Sequence, residues 1–460
     1  MSRNRYLLLD KFILVWRQWR NRSHSRQIFA AAVSVGIVAL LVKFLFMLKE
    51  LFVAYKFGRA DVLDAYIIAY ALPAFLINFF ASINGSAFVP TFLRVATQRD
   101  HIQAQHFLSG VLTWNIMVSL IICAMMWMLA APIMKMLGSG FTPEKLVLTQ
   151  DLFMILVPAV LLGGVITTAS ALLRASEVFH APVLSPLFTS VAITAALFLF
   201  DEALGVYALA VGTLLGLTFE IIFLARRAAI LNWRLYPGWH WKTKDRQLYI
   251  RYIAPLAGGV LLMGSLELVD NSMASMLESG SVSALSYGTR VSLAVMGMSS
   301  IALGTVVLPR FSRLVVAQEW HEIRKIVRTF NRLIVIASIP VVAAIVLFSE
   351  ELIGIIYQRG AFTTEDTHLV SQVQSMHILQ LPFYLMGILC ARVISAAGKN
   401  QWLLIIAALS LMLNIAGNYL LMKLFGVAGI ALATTIVVCF SWLMLNLLVT
   451  RMIYKAEAAH

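Results

Sequence analysis

The sequence repeats its own landmarks about 220 residues apart, so whatever one half folds into, the other half must fold into as well. Gly85-Ser86-x-x-x-Pro90-x-Phe92-x-Arg94 returns as Gly304-Thr305-x-x-x-Pro309-x-Phe311-x-Arg313, and Phe141-Thr142-x-Glu144 returns as Phe362-Thr363-x-Glu365. Pro158-x4-Gly163 returns as Pro382-x4-Gly387, and Gly205-Val206-x3-Ala210-x2-Thr213 as Gly426-Val427-x3-Ala431-x2-Thr434. The four matches keep their order, with offsets of 219, 221, 224 and 221. In an apolar chain, such a duplication is the build of a transporter whose site lies between two like halves.

The chain is apolar enough for that reading. Sixty per cent of its residues are hydrophobic and 13% charged, whereas soluble domains carry about a quarter charged residues. Apolar spans fall near 28–48, 65–93, 107–131, 147–172, 183–200, 204–224, 252–276, 284–308, 329–348, 369–391, 402–422 and 427–449. Each is near the roughly 20 residues that a membrane helix needs. The expected fold is all-α and polytopic, about 12 transmembrane helices in two pseudo-symmetric six-helix bundles. The expected divisions are a basic leader over 1–27, an N-terminal bundle over 28–224, a linker over 225–250, a C-terminal bundle over 251–450 and a tail over 451–460.

A net charge of +14 points to topology rather than to nucleic acid. The terminal segments and the loops on their side hold most of the Lys and Arg, whereas the opposite loops collect Asp201, Glu202, Glu278, Glu350, Glu351, Glu365 and Asp366. The positive-inside rule therefore places both termini in the cytoplasm. The leader carries seven basic residues against Asp10, with Leu8, Phe12, Val15 and Trp19 on one helical stripe. That pattern fits a surface helix on an anionic inner leaflet. Cys123, Cys390 and Cys439 lie inside spans as small core residues. No metal, Walker or hydrolase spacing occurs, so neither catalytic residues nor a cofactor are expected.

Charges inside spans are costly, roughly 2.5–3.5 kcal/mol each on insertion scales, and so call for a cavity, a partner or a function. Lys43, Lys49 and Glu50 mark the first span, Asp64 opens the second, Glu267 and Asp270 share a face of the seventh and Arg290 lies in the eighth. Glu220 and Arg392 lie nearer the cytoplasmic ends, where snorkelling or a local pair accounts for them. Asp270 and Arg290 sit at similar depth about the turn near Leu277–Ala284, which predicts an ion pair that either staples the hairpin or opens to hold an anion. Lys43, Lys49 and Arg290 facing one cavity would attract phosphate or carboxylate. Gly85, Pro90, Gly304 and Pro309 are candidate bending points. Thr142 and Thr363 read as helix N-caps, which explains the repeated Phe-Thr-x-Glu without catalysis.

Several strings resemble the bacterial lipid II flippase family of the multidrug/oligosaccharidyl-lipid/polysaccharide exporter superfamily. They are Asp64-Ala65-Tyr66-x-x-Ala69-Tyr70-x-Leu72-Pro73, Ala87-Phe88-Val89-Pro90, Gly280-Ser281-Val282-Ser283, Ala302-Leu303-Gly304-Thr305-x-x-Leu308-Pro309 and Gly360-Ala361-Phe362-Thr363. The resemblance covers about residues 30–450. It implies two bundles around a cationic cavity that move a polyprenyl-diphosphate-linked saccharide between leaflets by alternating access. Lys43, Lys49 and Arg290 would then bind the diphosphate. Glu50, Asp64, Glu267 and Asp270 would serve charge pairing or coupling to a proton, to sodium or to the membrane potential.

The chain departs from the family pattern in three places. Ile77 and Asn78 stand where the family has a basic residue, Thr289 and Leu293 replace acids beside Arg290, and the chain ends just after its twelfth span instead of carrying two further helices. These departures favour a divergent member handling an exopolysaccharide or O-antigen-type unit, with lipid II as the other candidate and a polysaccharide polymerase as partner. A cation-coupled multidrug exporter is the alternative, and a membrane glycosyltransferase or ligase a more distant one.

Overall fold

The computed structural model describes residues 24–239 and 243–458, with the side chains of 300–310 among those left undescribed. The expected surface helix of the leader therefore lies outside the described residues. The first half contains α1 (His24–Phe57), α2 (Asp61–Ile83), a π-helical turn (Asn84–Phe88), α3 (Val89–Gln98), α4 (His101–Met128) and α5 (Ala130–Leu137). It continues with α6 (Pro143–Leu156), α7 (Pro158–Ala175), α8 (His180–Leu184), α9 (Pro186–Leu204) and α10 (Tyr207–Ile230). The second half contains α11 (Thr243–Ala274), α12 (Ser281–Val316), α13 (Trp320–Leu347), α14 (Ser349–Tyr357), α15 (Thr364–Ile378), α16 (Leu381–Ala396) and α17 (Asn400–Glu457). All twelve expected spans fall on these helices. Eight helical segments among the described residues are long and apolar enough to cross a membrane, and α11, bent by 41°, would be a ninth.

The duplication is visible in the backbone. Gly205 between α9 and α10 has φ +52°, and Gly426 has φ +57° at a break inside the 58-residue α17, which thereby supplies two spans. Only glycine takes that conformation at no steric cost, which is why the Gly-Val motif recurs 221 residues on. Both expected N-caps form: Thr142 accepts from the Lys145 N–H, and Thr363 from that of Asp366, whose carboxylate accepts in turn from the Thr363 N–H. Each satisfies amides left open at a helix start. Gly85 lies within the π-helical turn, with no neighbour among the described residues within 4 Å of the Cβ it lacks, and Pro90 falls in the first turn of α3. Gly304 and Pro309 are carried within α12, where the side chains lie outside the described residues.

Lipid tails are as apolar as leucine, so packing and interhelical hydrogen bonds, rather than water exclusion, hold such helices together. One core joins the halves, from Val53 and Ala65 through Tyr287 and Tyr357 to Ile430, and each half has a further core of its own. The N-terminal bundle centres on Asn84, whose amide donates to Thr167 and Thr168 at 3.0 and 3.3 Å and accepts from Asn115 and Tyr249, both at 3.3 Å. The segment after α10 lies against α4. Gln105 exchanges hydrogen bonds with the Arg234 backbone at 2.7 and 3.1 Å, and Thr113 does so with Gly238.

At the end opposite this segment the halves are clasped. Asp64, 1% exposed, accepts from the Gly280 and Ser283 N–H groups at 2.8 Å each and pairs with Lys145 at 3.0 Å. Arg59 pairs with Asp366 at 2.5 Å, and the Ala361 N–H donates to the Tyr55 carbonyl at 2.8 Å.

Candidate functional site

Where α1 meets α12, three ionised side chains from the two halves converge. Lys49 pairs with Glu50 at 2.6 Å, and Arg290 reaches the same carboxylate oxygen at 3.3 Å. Both cations lie over the Phe46 ring, at 4.4 and 5.7 Å from its centroid. Lys43, two turns earlier on α1, is exposed and places its ammonium against Gly297 on α12, two turns along from Arg290. Glu50 is buried, whereas the Arg290 side chain keeps 35% exposure. Arg290 also donates to Ser286 at 3.3 Å, and its Nε has no partner among the described residues. A guanidinium offers five donors in a planar fork, so an anion would find free hydrogen-bonding capacity beside a carboxylate that already holds the group in place.

This arrangement corrects the expected Asp270–Arg290 pair. Arg290 pairs with Glu50 of the other half, and Asp270 turns into its own bundle. There Asn414 and Asn418 donate to its Oδ1 at 2.9 and 2.7 Å, and Thr434 donates to Oδ2 at 3.1 Å. Equal depth in a hairpin fixes height along the helices but not rotation about them, and rotation decides which neighbour a side chain meets. Glu267, one turn before Asp270, stays exposed. Asp64 lies apart from both groups, in the clasp between the halves. Glu220 does not snorkel. It is 5% exposed and accepts from Ser185 at 2.6 Å and Thr189 at 3.3 Å.

The residues around Asp270 escaped sequence reasoning because they are neutral. Asn414 and Asn418, four apart within an apolar helix and therefore on one face, were the available signal. In the sequence, Thr434 stands out only as a landmark of the repeat. Its counterpart Thr213 bonds Tyr66 at 2.9 Å, so the repeated threonine serves a hydroxyl in one half and a carboxylate in the other.

The family model described as lipid II flippase MurJ matches residues 53–459. A probable lipid II flippase from Synechocystis sp. is 28% identical, covering 91% of this chain and 80% of its own length. Among solved structures, a lipid II flippase in an inward closed conformation aligns with a TM-score of 0.78 at 23% identity, over 93% of this chain and 90% of that one. An inward-facing multidrug resistance MATE family transporter aligns with a TM-score of 0.74 at 15% identity, over 92% and 99%. The two structures share the fold, and the family match runs through both bundles: this multi-pass membrane protein belongs to the lipid II flippase MurJ family.

Proposed function

We propose that the protein moves a polyprenyl-diphosphate-linked saccharide from the inner to the outer leaflet of the bacterial cytoplasmic membrane, with both termini in the cytoplasm. The observation that carries this reading is the Lys49–Glu50–Arg290 cluster between the halves, with an unpartnered Arg290 donor and Lys43 beside it. The diphosphate displaces Glu50 from Arg290 and takes its place, while the polyprenyl tail stays in lipid. No bond is made or broken. Parting of the clasp around Asp64 and Arg59 then lets the cavity open to the other side, and an envelope polysaccharide polymerase takes up the product.

The coupling ion binds at Asp270. One carboxylate, two amides and a hydroxyl are the oxygen-bearing set that a hard cation takes, provided that the Asn414 and Asn418 amides turn their oxygens inward. A proton on Asp270 is the simpler form of the same coupling. Lipid II, named in the relatives, and an exopolysaccharide or O-antigen-type unit are the two substrates to compare.

The test is leaflet-resolved transport in proteoliposomes. Flipping of a lipid-linked saccharide that falls at least about 30-fold in Arg290→Ala is expected, because truncating one partner of a buried charge pair costs roughly 2–5 kcal/mol. Unchanged flipping in that variant, with export of cationic dyes lost in Asp270→Asn, would instead make the protein a cation-coupled drug exporter.

A further inference from the structure

The 221-residue offset pairs one corner of the N-terminal bundle with one of the C-terminal bundle, and the two are finished differently. In the first, the segment after α10 folds back and fills the corner: Val178, Leu231, Trp233 and Leu235 pack on the bundle core, and Trp233 stacks on His101 at 4.1 Å. With the local offset of 219 for the first and 221 for the others, the counterparts of His101, Val178, Leu231 and Arg234 are Trp320, Lys399, Met452 and Lys455. These four line a cavity of 340 Å³ together with Val315, Gln318 and Ala397. Because α17 continues as a helix to Glu457, no chain among the described residues turns back to cover it.

The chemistry of the open corner is amphipathic. Lys399 and Lys455 are exposed, and neither has an ion pair among the described residues. Arg324 is committed to Glu457 and lies over the Tyr454 ring at 4.6 Å, which fixes that side of the rim. Trp320 donates to Gln318 at 2.9 Å, and Gln318 adopts the left-handed conformation at φ +60°, which turns the chain from α12 into α13. Val316 and Tyr454 beside the cavity are 84% and 56% exposed. Two cations and a tryptophan lining one cavity at a helix-end level, with exposed apolar side chains next to them in the chain, match a charged headgroup continuous with acyl chains better than a free soluble anion. Basic pockets between membrane helices on the cytoplasmic side take such headgroups.

We propose that this corner binds the headgroup of an anionic phospholipid, with Lys399 and Lys455 on the phosphodiester and Trp320 and Met452 against the glycerol and first acyl carbons. The lipid would do for the C-terminal bundle what residues 231–239 do for the N-terminal one, closing its end.

Native mass spectrometry of the full chain in detergent, titrated with phosphatidylglycerol, tests this. One tightly retained phosphatidylglycerol is expected, weakened about 30-fold by Lys399→Ala with Lys455→Ala, as two lysines near an anionic surface should be. Phosphatidylcholine retention should not change, and Lys135→Ala with Lys423→Ala, at the other end, should behave as the parent. Unchanged phosphatidylglycerol retention in the first double variant would overturn the proposal. So would equal loss of both lipids, or displacement of phosphatidylglycerol by inorganic phosphate at matched concentration, which would mark a soluble-anion site. Lipid retention is read without transport, so it can fail while the flippase reading stands, and the reverse.

Discussion

The two bundles share a scaffold and differ at their centres. In the N-terminal bundle, Asn84, Asn115, Thr167 and Thr168 form a neutral network around a π-helical turn, completed by the Tyr249 hydroxyl from α11 of the other half. In the C-terminal bundle, the centre is Asp270, held by two asparagines and a threonine. The position one repeat before Asp270 falls within a residue of Glu50, whose carboxylate meets Lys49 and Arg290 at the cleft instead. A duplicated backbone therefore keeps its turns and caps, where geometry admits few residue types, and is free to change what it buries. The Asn84 centre of one half is neutral and the Asp270 centre of the other is chargeable, while the proposed anion site draws on both halves.

Making the centres alike should break this division. Asn84→Asp would place a carboxylate among neutral partners, and an uncompensated buried charge costs roughly 3–5 kcal/mol. Thermal unfolding of the purified protein should show a large loss, and an unchanged midpoint would mean that the N-terminal centre tolerates charge after all. Asp270→Asn, the converse change, should leave the unfolding midpoint near that of the parent, because the amide keeps an acceptor for its neighbours. Proteoliposome transport in that variant should fall by about tenfold (roughly 1.4 kcal/mol) and lose its response to a sodium or proton gradient. A gradient response that persists would move coupling elsewhere.

The smallest effects concern what the halves share. Thr363→Ala should destabilise by about 1–2 kcal/mol, because a reciprocal capping box is lost, and Thr142→Ala by about 1 kcal/mol or less. Equal shifts in unfolding temperature would show that the Asp366 carboxylate adds nothing to the second cap.

The spans, the duplication and the caps were legible because each rests on local chemistry: a run of apolar residues, a glycine held at positive φ, a threonine before a helix. Lys43, Lys49, Glu50 and Arg290 were legible as ionised groups in the wrong solvent. Their pairing was not, since the rotation of α12 about its axis depends on its packing against helices far away in sequence. The role of Asn414 and Asn418 is illegible for the same reason, since they lie 144 and 148 residues from the aspartate they hold. The docking of residues 231–239 on α4 uses side chains bonded to backbone, Gln105 to Arg234 and Thr113 to Gly238, a pairing that leaves no periodic trace.

If a diphosphate replaces Glu50 on Arg290, equilibrium binding of a polyprenyl-diphosphate saccharide to purified variants will register the exchange. Arg290→Ala should weaken binding at least about tenfold (roughly 1.4 kcal/mol), and Glu50→Gln should tighten it, because the competing carboxylate is gone. Unchanged affinity in Arg290→Ala, or weaker binding in Glu50→Gln, would contradict the account.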